Sequence, residues 1–368
     1  MPAELLSRHL VHTVDAIELP PLGAPVEGRA ERRDSYPIVV TRSFEQTVEQ
    51  LLELIGDAHV AVITDETVAE LYGPVIVGAL AKSGLEPEVA TVPAGERHKT
   101  PARALELLDW LTGTQVGRRD VILALGGGVV IDMAGFVASA YMRGVPYINL
   151  ATTLIGQVDA AIGGKLAVNH AVAKNLIGGF FQPRGVISNV SFLRTVGRRQ
   201  LRAGLAESIK KAIIASPAYW SQIETNADAI LSGDPYEDDS RRTLGFGHAI
   251  AHPLETVTSY SELLHGEAVA FGMAVELQLA AARHLLPPAR HERILDLLRR
   301  VGLPTTSAEL PAAVDGPRLI AATERIRLIR GGGYRFVLPI DLGETVIADD
   351  VTPSELREAL RRCGVELR

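Results

Sequence analysis

Two histidines lie four residues apart in GFGHAIAHPLE (245–255), His248 and His252. On a helix this spacing puts both imidazoles on one face, as half of a metal site or as two packed core rings. The zinc-protease pattern H-E-x-x-H needs a glutamate after the first histidine, and Ala249 stands there. A metal would therefore need ligands from elsewhere. Glu207 in LRAGLAESIKK and His265 in LLHGEAVAFGM would complete, with His248, a set of one carboxylate and two imidazoles. Such a set leaves zinc an open position for substrate or water. Each residue also has a structural reading, Glu207 as an exposed helix acid and His265 as the cap of the helix that GEAVAFGM begins.

A second group of candidates lies upstream. LGGGVVIDMAG (125–135) follows an apolar strand and opens a helix, so Gly126, Gly127 and Gly128 would let a pyrophosphate approach the backbone and the helix N–H donors. The third glycine of G-x-G-x-x-G falls on Ile131, which leaves a tight strand–helix turn as an equal reading. Asp65, closing an earlier strand, could accept a bond from a ribose hydroxyl, and Asp132 could do the same or complement the helix dipole. QVDAAIGGKLAVNHAVAKNLIGGFFQP (157–183) interleaves Asp159, Lys165, Asn169, His170, Lys174 and Asn175 with glycines. Lysine and amide donors in that setting suit a phosphorylated, polyhydroxylated ligand, and Arg143 just upstream could add a guanidinium.

The elements that must position these residues follow from periodicity. Apolar strand-length runs (YPIVVT, HVAVITD, PEVATVP, DVILALGGG) alternate with amphipathic helical stretches, the pattern of a parallel sheet covered on both faces. Ligands of such sheets bind beyond the carboxyl ends of the strands, where Asp65, GERHK (95–99) and the triple glycine fall. After about residue 195 the chain reads as mainly helical, with a possible hairpin at IRLIRGGGYRFVL. The expected organisation is an extension over 1–35, an α/β domain over 36–194 and a helical domain over 195–368. Pro253 predicts that a helix starts after His252 rather than running through it. At 368 residues two domains are the natural expectation, and 47% apolar with 22% charged residues is ordinary globular composition. A net charge of −7 argues against a nucleic-acid partner. No apolar run has membrane-spanning length, and residues 1–20 lack the order of a signal peptide. One cysteine, Cys363 in a charged tail, fits a reducing cytoplasm.

In order, LGGGVVIDMAGFVASAYMRGVPYINLATTLIGQVDAAIGGK, VNH, KNLIGGFFQP, LRAGLAESIK, FGHAIAH and LLHGEAVAFGM resemble the sugar phosphate cyclase family. That group comprises 3-dehydroquinate synthase and the relatives that close sedoheptulose 7-phosphate into C7 cyclitols. The resemblance covers roughly residues 36–340 and implies an N-terminal Rossmann-like parallel-sheet domain with a mainly α-helical C-terminal domain. It implies zinc, or cobalt, on Glu207, His248 and His265. It implies NAD on Asp65, Glu96, Lys99, Gly126, Gly127, Gly128, Asp132, Thr152 and Thr153. Catalytic roles would fall on Asp159, Lys165, Lys210 and His252, and sugar-phosphate contacts on Lys174, Asn175, Arg241 and Arg143, the last supplied across a homodimer. The implied reaction is transient oxidation by NAD, phosphate elimination, re-reduction, ring opening and aldol closure, a lyase reaction that leaves NAD unchanged.

Departures from the family pattern point to a subgroup. Gly245 stands where dehydroquinate synthases carry asparagine, and the stretch between Glu207 and His248 is short and lacks a lysine that holds the substrate carboxylate. Leu166–Ala167 follow Gly164–Lys165 where GGKTG is usual, and Ile326-Arg327-Leu328 replaces Asp-Lys-Lys. PYEDDSRRTLGFGH resembles the sedoheptulose 7-phosphate cyclases, and Gly245 with His252 leans toward a 2-epi-valiolone type product. The alternatives are a 3-dehydroquinate synthase, a metal-dependent polyol dehydrogenase with net NADH formation, and a relative that binds NAD and zinc without turnover.

Overall fold

This computed structural model describes residues 35–215, 245–260, 262–329 and 334–367. The strands β1 (Ile38–Thr41), β2 (Val60–Asp65), β3 (Glu88–Val92), β4 (Val121–Gly126), β5 (Tyr147–Ala151) and β8 (Gly185–Asn189) form one sheet, ordered β1-β8-β5-β4-β2-β3. Every pairing in it is parallel. Because alternate side chains point to opposite faces, each of the four inner strands feeds two cores. Val60, Val62, Leu123 and Leu125 pack beneath α1 (Phe44–Ile55) and α2 (Glu66–Lys82). Ala61, Ile63, Ile122 and Ala124 pack with α3 (Pro101–Thr112) and α4 (Gly128–Ala140). Such double burial is why these strands are apolar without alternation.

The order has a consequence for the site. The chain runs from β2 outward to β3, then crosses back to place β4 on the other side of β2. A crevice opens where neighbouring connections leave in opposite directions, here between the carboxyl ends of β2 and β4, at Asp65 and Gly126. The first three helix starts are closed by a side chain: Ser43 accepts the Gln46 N–H, Asp65 the Val68 N–H and Thr100 the Arg103 N–H. No side chain caps α4, which starts from Gly127. Beyond β5 a single π turn, Gly156–Ala160, leads to the antiparallel hairpin of β6 (Lys165–Val168) and β7 (Ile177–Phe180).

A third core gathers α5 (Arg198–Ala215), α6 (His248–Val257), α7 (His265–Ala282), α8 (Pro288–Arg300), α9 (Gly316–Ile329), α10 (Pro353–Arg362) and the β9–β10 hairpin (Phe336–Asp341, Glu344–Ala348). Helix α7 is buried nearly all round, from Gly266 to Ala280, as befits a helix apolar on every side. Small residues let its neighbours come close. A Cβ on Gly266 would overlap the Ala203 carbonyl of α5, and one on Gly272 would overlap the carbonyl of Gly247 at the start of α6.

Three expectations change. The hairpin lies at 336–348, not at IRLIRGGGYRFVL, because the apolar run Ile326–Ile329 is the last turn of α9. Short apolar runs do not distinguish helix from strand. Helix α6 starts at His248 and runs through Pro253, whose local cost of about 3 kcal/mol is outweighed by packing on α7. Cys363 is buried at the end of α10, and burial pushes its thiol up to about 12.

Helix α10 is held at its start by Glu355, which accepts from the Thr352 N–H at 2.8 Å and from Arg283 Nε at 2.8 Å. The Arg283 bond and the Thr352 N–H hold its carboxyl down to about 2. Glu355→Gln should therefore lower stability by about 1 kcal/mol near neutral pH, discounted for partial exposure. A depressed carboxylate stabilises above its unfolded pKa, so the deficit should shrink as pH falls from about 4.3 toward 2. Urea denaturation at about pH 7 and about pH 3 checks this.

Candidate active site

The two close crossings on α7 bring three helices to one point. Glu207 of α5, His248 of α6 and His265 of α7 present ligand atoms that all lie within 4.8 Å of one another. His248 Nε2 is 3.7 Å and His265 Nε2 3.9 Å from Glu207 Oε1. Glu207 is 0% exposed, and neither of its oxygens accepts a hydrogen bond. Lys210 Nζ stands 2.5 Å from Oε2, an ion pair outside hydrogen-bond geometry. Burial, with Lys210 and the other two histidines nearby, holds His248 well below the usual imidazole range and hence neutral. A buried carboxyl without hydrogen bonds, faced by two imidazoles, fits a divalent cation held by O and N donors. His252 shares the face of His248, with ring centroids 5.0 Å apart, and forms with Glu255 and His265 a second group of converging donor atoms beside the first.

Next to this cluster runs a chain of buried charges. Lys174 Nζ is paired with Glu255, lies 3.6 Å from Glu96 Oε1, and is 3.3 Å from His265 Nδ1. Lys99 Nζ meets Glu96 at 3.1 Å, Asp132 Oδ2 at 2.8 Å and Asn175 Oδ1 at 2.7 Å. Asn169 Nδ2 donates to Glu96 Oε1 at 2.8 Å, and its Oδ1 accepts the Asn175 N–H. Asn175 sits at φ 53°, a left-handed position that asparagine tolerates. Burial alone would raise Glu96, yet Lys99 and Lys174 hold it well below the carboxylate range. Burial would lower Lys99, yet Asp132 and Glu96 raise it. Burial would likewise raise Glu255, and Lys174 and His265 pull it down to about 2. On the far side, Lys211 Nζ lies 3.0 Å from Asp159 Oδ1 and donates to the Val158 carbonyl. Burial would raise Asp159, but Lys211, Lys210 and Lys165 hold it ionised.

The crevice between β2 and β4 leads into this chain through Asp132 of α4. The Thr152 N–H donates to the Gly126 carbonyl, and a Cβ on Gly127 would crowd Thr153 at 3.0 Å. The uncapped start of α4 and the buried Thr152 hydroxyl, which has no hydrogen-bond partner, suit a pyrophosphate bridge. Asp65 caps α2 at the lip of the crevice, and burial raises its carboxyl.

Not every expected residue joins. Arg143 is exposed, at φ 65° on the turn after α4, and makes no ion pair among the described residues. Arg241 lies outside the described residues. Lys165 is exposed on β6, yet close enough to Asp159 to help lower its carboxyl. His170 turns to its own backbone, accepting the Val172 N–H. Sequence reasoning missed Glu255, at 2% exposure the partner of both Lys174 and His265, and Lys211, the partner of Asp159. Glu255 carried a signal, since it lies three residues after His252 on the same helix face. Lys211 carried none beyond its place beside Lys210.

The 3-dehydroquinate synthase N-terminal family matches residues 89–203 and its C-terminal counterpart matches 227–321. The chain belongs to the 3-dehydroquinate synthase family. It is 48% identical over 370 residues to a 2-epi-valiolone synthase of Actinosynnema mirum, covering 95% of this chain and 97% of that protein. It is 38% identical over 349 residues to a 3-dehydroquinate synthase of Desulforamulus reducens, covering 89% and 96%. Among solved structures, ValA, the 2-epi-5-epi-valiolone synthase of Streptomyces hygroscopicus subsp. jinggangensis 5008 with NAD+ and Zn2+ bound, superposes with a TM-score of 0.81. That match has 30% identity and covers 92% of this chain and 99% of the other.

Within the family fold, Gly245 is not a backbone necessity. A Cβ there would meet only Val337, at 3.8 Å. Arg327, in the segment that departs from the family's Asp-Lys-Lys, donates to Glu324 and lies over the Tyr334 ring, while Leu328 is exposed. His248→Ala removes one of three converging donors, and Glu207→Ala removes the only carboxylate among them. Either variant, purified and dialysed against zinc, should hold less than about a tenth of the metal held by the unaltered protein, as elemental analysis would read.

Proposed function

We propose that this protein is a sugar phosphate cyclase that converts sedoheptulose 7-phosphate to a C7 cyclitol of the 2-epi-valiolone type, with release of phosphate. The observation that carries this reading is the 48% identity to a 2-epi-valiolone synthase over 95% of the chain. The departures at Gly245, at Ile326–Leu328 and in the short segment before His248 support it, since there the sequence parts from the dehydroquinate synthase pattern, and the short segment lacks the lysine that would hold a substrate carboxylate. The reaction class would be that of a carbon–oxygen lyase acting on a phosphate.

The residues fit the task. Glu207, His248 and His265 would hold zinc, and the crevice from Asp65 to Thr153 would hold NAD. Bound there, NAD supplies a hydride acceptor that gives the hydride back, and zinc a Lewis acid for a ring hydroxyl. Oxidation beside a C–H bond acidifies it, so its proton can depart as the neighbouring C–O bond to phosphate breaks. Lys165, Lys210 and Lys211 provide cations around Asp159, an ionised carboxylate able to orient or accept from a hydroxyl. His252, beside the ligands, would face the substrate. Lys174 and Asn175 would orient the sugar from the opposite wall.

We extend the proposal to a homodimer. Leu176, Ile177 and Phe180 are exposed on and beside β7, and Met142 is exposed next to Arg143. Gly144, just after them, abuts the Phe181 ring at the end of β7. An apolar surface of this kind suits a second copy and would carry Arg143 to the neighbouring site. A cytoplasmic location is in keeping with a lone, buried cysteine and with no described helix long and apolar enough to cross a membrane. We place the functional division at 194/195, with cofactor contacts on one side and metal ligands on the other.

Phosphate release with NAD and zinc should occur with sedoheptulose 7-phosphate and not with the carboxylated precursor of dehydroquinate. Release from the carboxylated sugar alone would reverse the assignment, and net NADH formation would mean a dehydrogenase. Phe180→Glu should shift the mass seen by light scattering toward 39.5 kDa and lower turnover together with it.

A further inference from the structure

Glu255 touches two groups that need it at once. Its Oε2 lies 3.1 Å and its Oε1 3.2 Å from His265 Nδ1, while Lys174 Nζ is paired with Oε1. The other ring nitrogen of His265, Nε2, faces Glu207. An ionised carboxylate only accepts hydrogen bonds, so a bond from His265 must come from a proton on Nδ1. The Nε2 lone pair is then aimed at the point where Glu207 and His248 converge. Lys174 and the Nδ1–H are both donors, 3.3 Å apart, and both reach Oε1, while Oε2 is the oxygen nearer to Nδ1. Lys174 has a second acceptor, Glu96 Oε1 at 3.6 Å, which Lys99 links to the glycine-turn helix through Asp132.

We propose that Glu255 is a positioning residue for the metal, fixing the His265 tautomer, and that Lys174 competes with His265 for it, so that the two partners act on metal affinity in opposite directions. The inference rests on the metal reading of Glu207, His248 and His265, but not on the identity of the sugar. A carboxylate held by His265 alone makes the imidazole a stronger donor, and one shared with an ammonium makes it a weaker one. Lys174 moving toward Glu96 would therefore strengthen the metal site without touching it.

Zinc affinity, read by chelator competition, tests this. Glu255→Gln should weaken zinc by about 10-fold or more. Lys174→Met should bind zinc more tightly than the unaltered protein, and unchanged affinity there would overturn the competition. Parallel weakening in both variants would mean a merely structural role, and undiminished affinity in Glu255→Gln would remove Glu255 from the metal site; either overturns the proposal. Should a variant fail to fold, nitrogen-15 histidine spectra of the unaltered zinc protein decide. Nδ1 protonated with Nε2 on the metal supports the proposal, and the opposite tautomer overturns it. Failure of the cyclase assay on sedoheptulose 7-phosphate would sink the functional reading and leave these affinities standing.

Discussion

The buried carboxylate of Glu207 is the constraint around which the helical half is arranged. A carboxyl at 0% exposure without a hydrogen bond is costly, and it persists only where surrounding packing holds it and a cation answers it, as Lys210 does here. The packing comes from α7, a helix buried on nearly every side, against which α5 and α6 close to backbone contact at Gly266 and at Gly247 with Gly272. These same crossings fix where His265 and His248 begin their helices. Structural economy and ligand geometry therefore have one cause, the absence of side chains at three glycines.

Around that point the protein places alternating charges in a continuous path. From the glycine turn it runs through Asp132, Lys99, Glu96, Lys174 and Glu255 to His265. Isolated, each of these buried charges would be neutralised by desolvation. Glu96 lies between two lysines and Glu255 between Lys174 and His265, and these neighbours hold both carboxyls down against burial. The path joins the sheet crevice to the helical core, so the candidate cofactor and metal regions share one electrostatic unit. Loss of one member would expose its neighbours to the full cost of burial.

The parallel sheet does simpler work. Its reversal of direction between β2 and β4 opens a crevice lined by backbone and by small side chains at Gly126–Gly128, Thr152 and Thr153. Burial on both faces makes that platform rigid and leaves chemistry to the strand ends.

Much of this was legible in the amino-acid sequence. The alternation of strands and helices and the glycine turn at 126–128 follow from residue types and local periods, whereas Glu207, His248 and His265 are joined as one donor set by the resemblance of the ordered motifs. The family that matches residues 89–203 and 227–321 is the one those motifs resemble. Local reasoning failed where long-range packing overrode it: at Pro253, carried inside α6 by its seat on α7, and at Ile326–Ile329, helical rather than stranded. It also could not find Glu255 as the partner of a lysine 81 residues away, or Lys211 as the partner of Asp159. Sequence by itself determined which residue types were available for metal, dinucleotide and phosphate. Which charges meet was decided only in three dimensions, because helix crossings bring together groups that no local spacing relates.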